Sequence, residues 1–241
     1  MAKKRNINKG LILWNKQKLF ESLTPFTLLD FEGFPSVILW FCGCNMRCGY
    51  CYNPEIVLGE GKFTFEDFEQ FFLSRKNLLQ GVVLCGGEPT LHQEIENIAI
   101  ELKKMAYKIK LDTNGTKPKV VKKLIENHLV DYVALDFKAP KEKFEMVTNS
   151  KKWNCFLETL HILIDSSIEY EVRTTFYGGY LEIWDIKMIC NILESIGFNK
   201  KYYIQNAFCD TNTLGNILDE KKISSYDMKV FEEYPFTVIL R

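Results

Sequence analysis

The chain has 241 residues, 46% of them hydrophobic and 26% charged, which suits one sizeable folded core and excludes a disordered or fibrous protein. Thirty-one basic residues balance thirty-one acidic ones, so there is no electrostatic footprint for nucleic acid, and the longest apolar run, Val37 to Cys42, is too short to span a bilayer. The basic start MAKKRNINKG, followed only by LILW at 11–14, lacks a signal-peptide core and reads as a solvated end, so the expected compartment is the cytoplasm.

Short apolar, β-branched runs recur along the chain and alternate with helical patterns. The first strand is expected at 36–41 (SVILWF), and it runs directly into the loop Gly43-Cys44-Asn45-Met46-Arg47-Cys48-Gly49-Tyr50-Cys51-Tyr52-Asn53. Phe65, Phe68, Phe71 and Phe72 then repeat at helical spacing behind Thr64, a good capping residue, with Asp67 in the first turn. A strand at 81–85 (GVVLC) leads into Gly86-Gly87-Glu88-Pro89, and Ile95, Ile98, Leu102 and Met105 mark the next helix. The strand at 107–111 (YKIKL) ends on Asp112-Thr113-Asn114-Gly115, after which Pro118 is placed to open a helix through Val121 and Leu124. A fourth strand, 131–136 (DYVALD), ends on Asp136-Phe137-Lys138. Helices at 152–164 and 182–196, the second ending at Gly197, flank a strand at 168–176 that carries Arg173. Strands at 202–205 and 235–240 close the series, the last at an edge.

Near-continuous apolar strands suit a parallel sheet buried on both faces, and alternation with helices implies right-handed crossovers. The expected fold is α/β, a partial (β/α)6 TIM-like barrel. No repeat and no Pro-, Gly- or Ser-rich linker divides the chain, so residues 1–241 read as a single domain with its core at about 25–210 and an extension at each end.

Eight cysteines in a cytoplasmic chain point to metal or redox chemistry rather than disulfides. Cys85, Cys155, Cys190 and Cys209 are widely spaced and read as small buried hydrophobes, and Cys42, two residues before Cys44, as a spare thiol at the mouth of the metal site. Cys44, Cys48 and Cys51 differ. Three thiolates in one loop can each bind a different iron of a cuboidal [4Fe–4S] cluster, leaving the fourth iron open to a ligand. Zinc, the competing metal, wants four ligands, usually as two close pairs, and no second CxxC is present. Gly86 and Gly87 allow a ligand to approach the backbone, and Glu88 beside them offers a carboxylate to an ammonium group, although GGEP alone is also an ordinary turn. Arg173, a charge inside a strand, needs an anion, either a ligand carboxylate or an acidic neighbour.

These motifs together resemble the radical S-adenosylmethionine superfamily: the cysteine loop matches its CxxxCxΦC signature with Tyr50 at the aromatic position, and Gly86-Gly87-Glu88 matches its GGE motif. The resemblance implies a [4Fe–4S] cluster whose open iron chelates the methionine moiety of S-adenosylmethionine, whose reductive cleavage yields a 5′-deoxyadenosyl radical. It also implies cofactor contacts from Tyr50, Thr113, Asn114 and Lys138 as well as the GGE turn and Arg173. Asp112 and Asp136 are expected to hold ribose hydroxyls or a monovalent cation.

FTLLDFEG at 26–33, GCNMRCGYCYNPE, GGEPTL, LDTNGTKP and LVDYVALDFKAP are similar to the anaerobic ribonucleoside-triphosphate reductase activating proteins, which place a glycyl radical on a partner enzyme. Gly49 stands where proline is common in that pattern, and Tyr52 where histidine is common. The implied partners are an anaerobic ribonucleoside-triphosphate reductase as protein substrate and flavodoxin or ferredoxin as reductant. An enzyme resembling 7-carboxy-7-deazaguanine synthase, acting on a small molecule, is the rival, and a non-catalytic iron–sulfur sensor or scaffold is an alternative of another class. Only residues 1–35 and 206–241 are available to cover a barrel mouth, which favours an open mouth and a protein substrate.

Overall fold

Side chains alternate across each central strand, and that period of two gives the barrel wall two chemically different faces. The computed structural model describes residues 16–208, 212–218 and 220–241; the expected solvated start, LILW at 11–14 and Cys209 lie outside them. Eight strands form one sheet in chain order: β1 (Phe20–Thr27), β2 (Ser36–Phe41), β3 (Gly81–Gly86), β4 (Lys108–Thr113), β5 (Tyr132–Asp136), β6 (Glu169–Phe176), β7 (Lys201–Asn206) and β8 (Thr237–Leu240). β1 is antiparallel to β2, and every other neighbouring pair is parallel. The sheet runs from β1 at one edge to β8 at the other, a partial TIM-like barrel in a single domain.

The six central strands expected from the sequence are β2 to β7, and the expected edge strand is β8. β1 adds to that set. Its sequence, FESLTPFT, contains Pro25 and lacks clean alternation, and its ladder with β2 shifts register twice, which an edge position tolerates.

α1 (Pro54–Leu58) follows the cysteine loop at the strand ends, where Ile56 O accepts from Gly43 N at 2.8 Å; the outer face carries α2 (Phe65–Arg75), α3 (Ile95–Lys104), α4 (Pro118–Glu126), α5 (Lys141–Thr148), α6 (Trp153–Asp165) and α7 (Ile183–Ser195). α2 starts in a full capping box between Thr64 and Asp67. α4 opens on Pro118, and beyond α7 the chain reverses at Gly197 with φ 76°. α1 and α5 are too short to have shown a periodicity.

Val37, Leu39 and Phe41 of β2, Val82 and Leu84 of β3, and Ile109 and Leu111 of β4 pack outward against the helices in the main core. Each such side chain, fully buried, stabilises the fold by roughly 1.5–3 kcal/mol. The inner face is mixed. Ile38, Val83, Trp40, Cys85 and Tyr132 form a small second cluster with Phe31 and Phe34 from the β1–β2 loop, while Lys110, Asp112, Glu171 and Arg173 are also buried or nearly so. Strands read as apolar on both faces are therefore apolar outward and partly charged inward, and the charged positions are where the site lies.

Candidate functional site

β2 ends at Phe41 and the chain turns at Gly43, whose φ of 81° is open to glycine. The following loop carries Cys44, Cys48 and Cys51, and all three thiols line one cavity of about 410 Å³ at the C-terminal ends of the strands. Cys44 Sγ accepts from the backbone N–H of Met46 at 3.4 Å and from Asn114 Nδ2 at 3.8 Å. Burial pushes the thiols of Cys44 and Cys48 up, the latter to about 11. The Tyr50 ring lies 5.9 Å from Lys138 Nζ and its hydroxyl is buried.

The turn after β3 sits directly on this loop. Gly43 O accepts from Glu88 N at 2.9 Å, and a Cβ on Gly87 would come 2.0 Å from Gly43 O, so backbone meets backbone with no room for a side chain. Gly86 and Gly87 line the cavity. Glu88 is placed differently from the two glycines. Its carboxylate does not line the cavity: it is wholly buried and accepts from Thr90 N at 3.1 Å, Thr90 Oγ1 at 2.5 Å, Thr113 Oγ1 at 2.8 Å and Asn114 N at 2.6 Å. Four donors make it a strut between the GGE turn and the end of β4, and Asn114 continues the strut to Asn45 at 2.9 Å and to Cys44. Burial pushes Glu88 up, with the donated bonds pulling back.

Opposite stands a wall of paired charges. Arg173 bonds Asp112 Oδ2 at 2.9 Å through Nη1 and Asp136 Oδ1 at 2.5 Å through Nε. Lys138 reaches Asp136 at 3.0 Å, and Lys110 lies 3.2 Å from Asp112 Oδ1, an ion pair without hydrogen-bond geometry. Of the two partners expected for Arg173, the structure supplies the acidic neighbours. Burial pushes Asp136 up, but Arg173 and Lys138 outweigh it and hold the carboxyl at about 2. With Glu171 4.0 Å from Lys110, three cations stand against three carboxylates. Asp112, Thr113, Asn114, Asp136, Lys138 and Arg173 all line the cavity.

Two cysteines also depart from expectation. Cys85 lines the cavity rather than lying in an inert core, because its parity on β3 turns it inward. Cys42 does not line it; its thiol faces Glu21 Oε2 at 3.8 Å, and burial and that carboxylate push it to about 11. The structure adds Trp40, Tyr52, Gln205, Phe208 and Arg241 to the cavity wall. Trp40 and Gln205 sit near C-terminal strand ends, the signal by which they could have been found. Phe208 and Arg241 come from the C-terminal extension, expected to be available to cover the mouth.

These residues fit the implied cofactors on their chemistry. Among the described residues no three His, Cys, Asp or Glu side chains close on one ion point, while three thiols lining one cavity suit ligands to three different irons. Glycine backbone, a wall carrying both signs of charge and the Asp112 oxygen that makes no hydrogen bond suit a ligand carrying ammonium, carboxylate and ribose hydroxyls. A family profile described as the Radical SAM superfamily matches residues 38–192. A provisionally named glycyl-radical enzyme activating enzyme of Methanocaldococcus jannaschii is 29% identical over 73% of this chain and 75% of its own. The 7-carboxy-7-deazaguanine synthase of Haemophilus influenzae is 27% identical over 73% of this chain and 81% of its own. Streptococcus suis SuiB, solved with S-adenosylmethionine, shares the fold with a TM-score of 0.64 at 15% identity; 85% of this chain is covered, and the chain spans 51% of that protein.

Proposed function

The chain belongs to the radical S-adenosylmethionine superfamily, and from that premise we propose that it activates a glycyl radical enzyme. In this reading Cys44, Cys48 and Cys51 hold the [4Fe–4S] cluster, and Gly86 and Gly87 present backbone to the methionine moiety. Arg173 and Lys138 supply positive charge for its carboxylate. The bound group supplies the electron transfer and the C–S bond cleavage. The protein orients the ligand, holds the charged wall ready and keeps water out.

One observation carries the choice of a glycine in another protein: the cavity is small. At about 410 Å³ it lies toward the low end of the roughly 300–1,000 Å³ typical of ligand pockets, and it has to take both cluster and S-adenosylmethionine. Little room remains for a whole small molecule, whereas a glycine Cα, with no side chain, needs only to reach the mouth. The relative from M. jannaschii supports the same class. The expected partners are an anaerobic ribonucleoside-triphosphate reductase and, as reductant, flavodoxin or ferredoxin. The H. influenzae relative keeps a deazapurine substrate as the second reading.

The test is anaerobic incubation of the reduced protein with S-adenosylmethionine and an anaerobic reductase, followed by electron paramagnetic resonance. A doublet glycyl signal, with methionine and 5′-deoxyadenosine accumulating beside it, is expected. Turnover of a deazapurine with no protein radical in any cognate reductase overturns the proposal.

A further inference from the structure

Tyr52 and Phe208 stand out from the other aromatic residues of the chain. They are 53% and 65% exposed, yet both line the cavity that holds the three thiols. Their rings pack against each other, centroids 6.4 Å apart and tilted by 54°, and so form one apolar lip at the mouth. Phe26, Trp184 and Tyr226 are as exposed, but none of those three lines the cavity.

The backbone beneath the lip is anchored on both sides. Tyr52 follows the ligand Cys51 directly, and Cys51 O accepts from Leu214 N at 2.8 Å. Phe208 follows Ala207, whose N–H bonds Phe176 O at 2.7 Å. Asn206 next to it makes a two-way bond with Ile223, donating from Nδ2 at 2.9 Å and accepting on Oδ1 at 2.8 Å. The rings are therefore presented from fixed points, as residues that bind something usually are. They also bridge the cluster loop and the segment after β7, so a group resting on both lies across the cavity entrance.

We propose that Tyr52 and Phe208 are the substrate-positioning pair of this enzyme, packing on an extended glycine-containing segment of the partner and setting its Cα over the mouth. This rests on the reading of the chain as a glycyl radical activase. The chemistry of the lip suits that occupant. A glycine backbone exposes Cα–H groups that lie flat on an aromatic face, and apolar residues flanking the glycine gain burial on the rings. A side chain at the central position would hold the backbone off the lip.

The test uses the reconstituted holoenzyme and an anaerobic ribonucleoside-triphosphate reductase as probe. Partner affinity is read by titration calorimetry, and the KM for the partner is separated from kcat in the radical-forming assay. Tyr52→Ala and Phe208→Ala should each raise Kd and KM by about tenfold, as truncation of an aromatic anchor does, with a smaller change in kcat. Tyr52→Phe and Phe208→Tyr, which keep the rings, should stay within about twofold of the parent. If the parent forms a radical on the reductase but the alanine variants bind and react like it, the pair has no positioning role. If the ring-preserving variants fail as badly as the alanine ones, the aromatic faces are not what the partner uses. If the parent itself forms no glycyl radical and binds no reductase, the activase reading fails first, and this inference with it.

Discussion

Replacing Glu88 by alanine separates a strut from a ligand contact. The carboxylate takes four hydrogen bonds, two from the backbone amides of Thr90 and Asn114 and two from the hydroxyls of Thr90 and Thr113. Hydroxyls can rotate to other acceptors, but the two amides are fixed and buried. Each buried donor left without an acceptor costs roughly 1–3 kcal/mol, so the pair costs about 4 kcal/mol before any cavity is counted. At about 2–4 °C per kcal/mol for a chain of this length, the melting temperature of the cluster-free protein should fall by roughly 10 °C. Release of Asn114 also loosens its bonds to Asn45 and Cys44, so anaerobic reconstitution should retain less iron. Differential scanning calorimetry, iron analysis and titration with S-adenosylmethionine read the three effects. A variant that melts within about 2 °C of the parent, keeps its iron and still loses at least tenfold in S-adenosylmethionine affinity would refute the reasoning, because the carboxylate would then act on the ligand and not on the fold.

Cys44→Ala, Cys48→Ala and Cys51→Ala should each abolish S-adenosylmethionine cleavage, and Cys42→Ala should keep it together with about four irons per chain, since its thiol lies outside the cavity. Asp136 has its carboxyl lowered from the ordinary 3.8 to about 2, so it contributes stability that is present above 3.8 and lost as pH falls through about 2. That contribution is on the order of 2 kcal/mol, and urea unfolding of the cluster-free protein between pH 2 and pH 6 should show a flatter acid limb in Asp136→Asn. Gly49→Ala would set its Cβ 2.1 Å from Tyr180 Oη and should destabilise by about 1–3 kcal/mol; in a Tyr180→Phe background, where the nearest remaining atom is Cζ at 3.1 Å, most of that loss should disappear from the thermal melt.

Gly49 also shows how a local sequence can be read and its reason still be missed. Its departure from proline was visible, but the cause lies in two distant segments, since Tyr180 and Gly215 both press on it and Gly215 N bonds its carbonyl at 2.8 Å. Tyr52 and Phe208 are the same kind of case: 156 positions apart, they share a cavity only because β7 ends beside the cluster loop.

The sequence by itself determined the central strands, the longer helices and their parallel order, and it singled out the cysteine loop. Each of these depends on short-range rules: a period of two or of 3.6, a cap such as Thr64, a proline at a first turn, three thiols within eight residues. Only the tertiary structure decided how the charges are shared out. Glu88, Asp112, Asp136, Lys138 and Arg173 all stand at or near strand ends, and nothing local distinguishes a carboxylate that meets a ligand from one that meets a neighbouring strand. Strand register sets Arg173 of β6 directly opposite Asp136 of β5 and within reach of Asp112 of β4, and the pairing of β3 with β4 brings Glu88 against Thr113 and Asn114. Buried charge has to be neutralised wherever the chain's fold puts it, so partners chosen across strands override roles suggested along them.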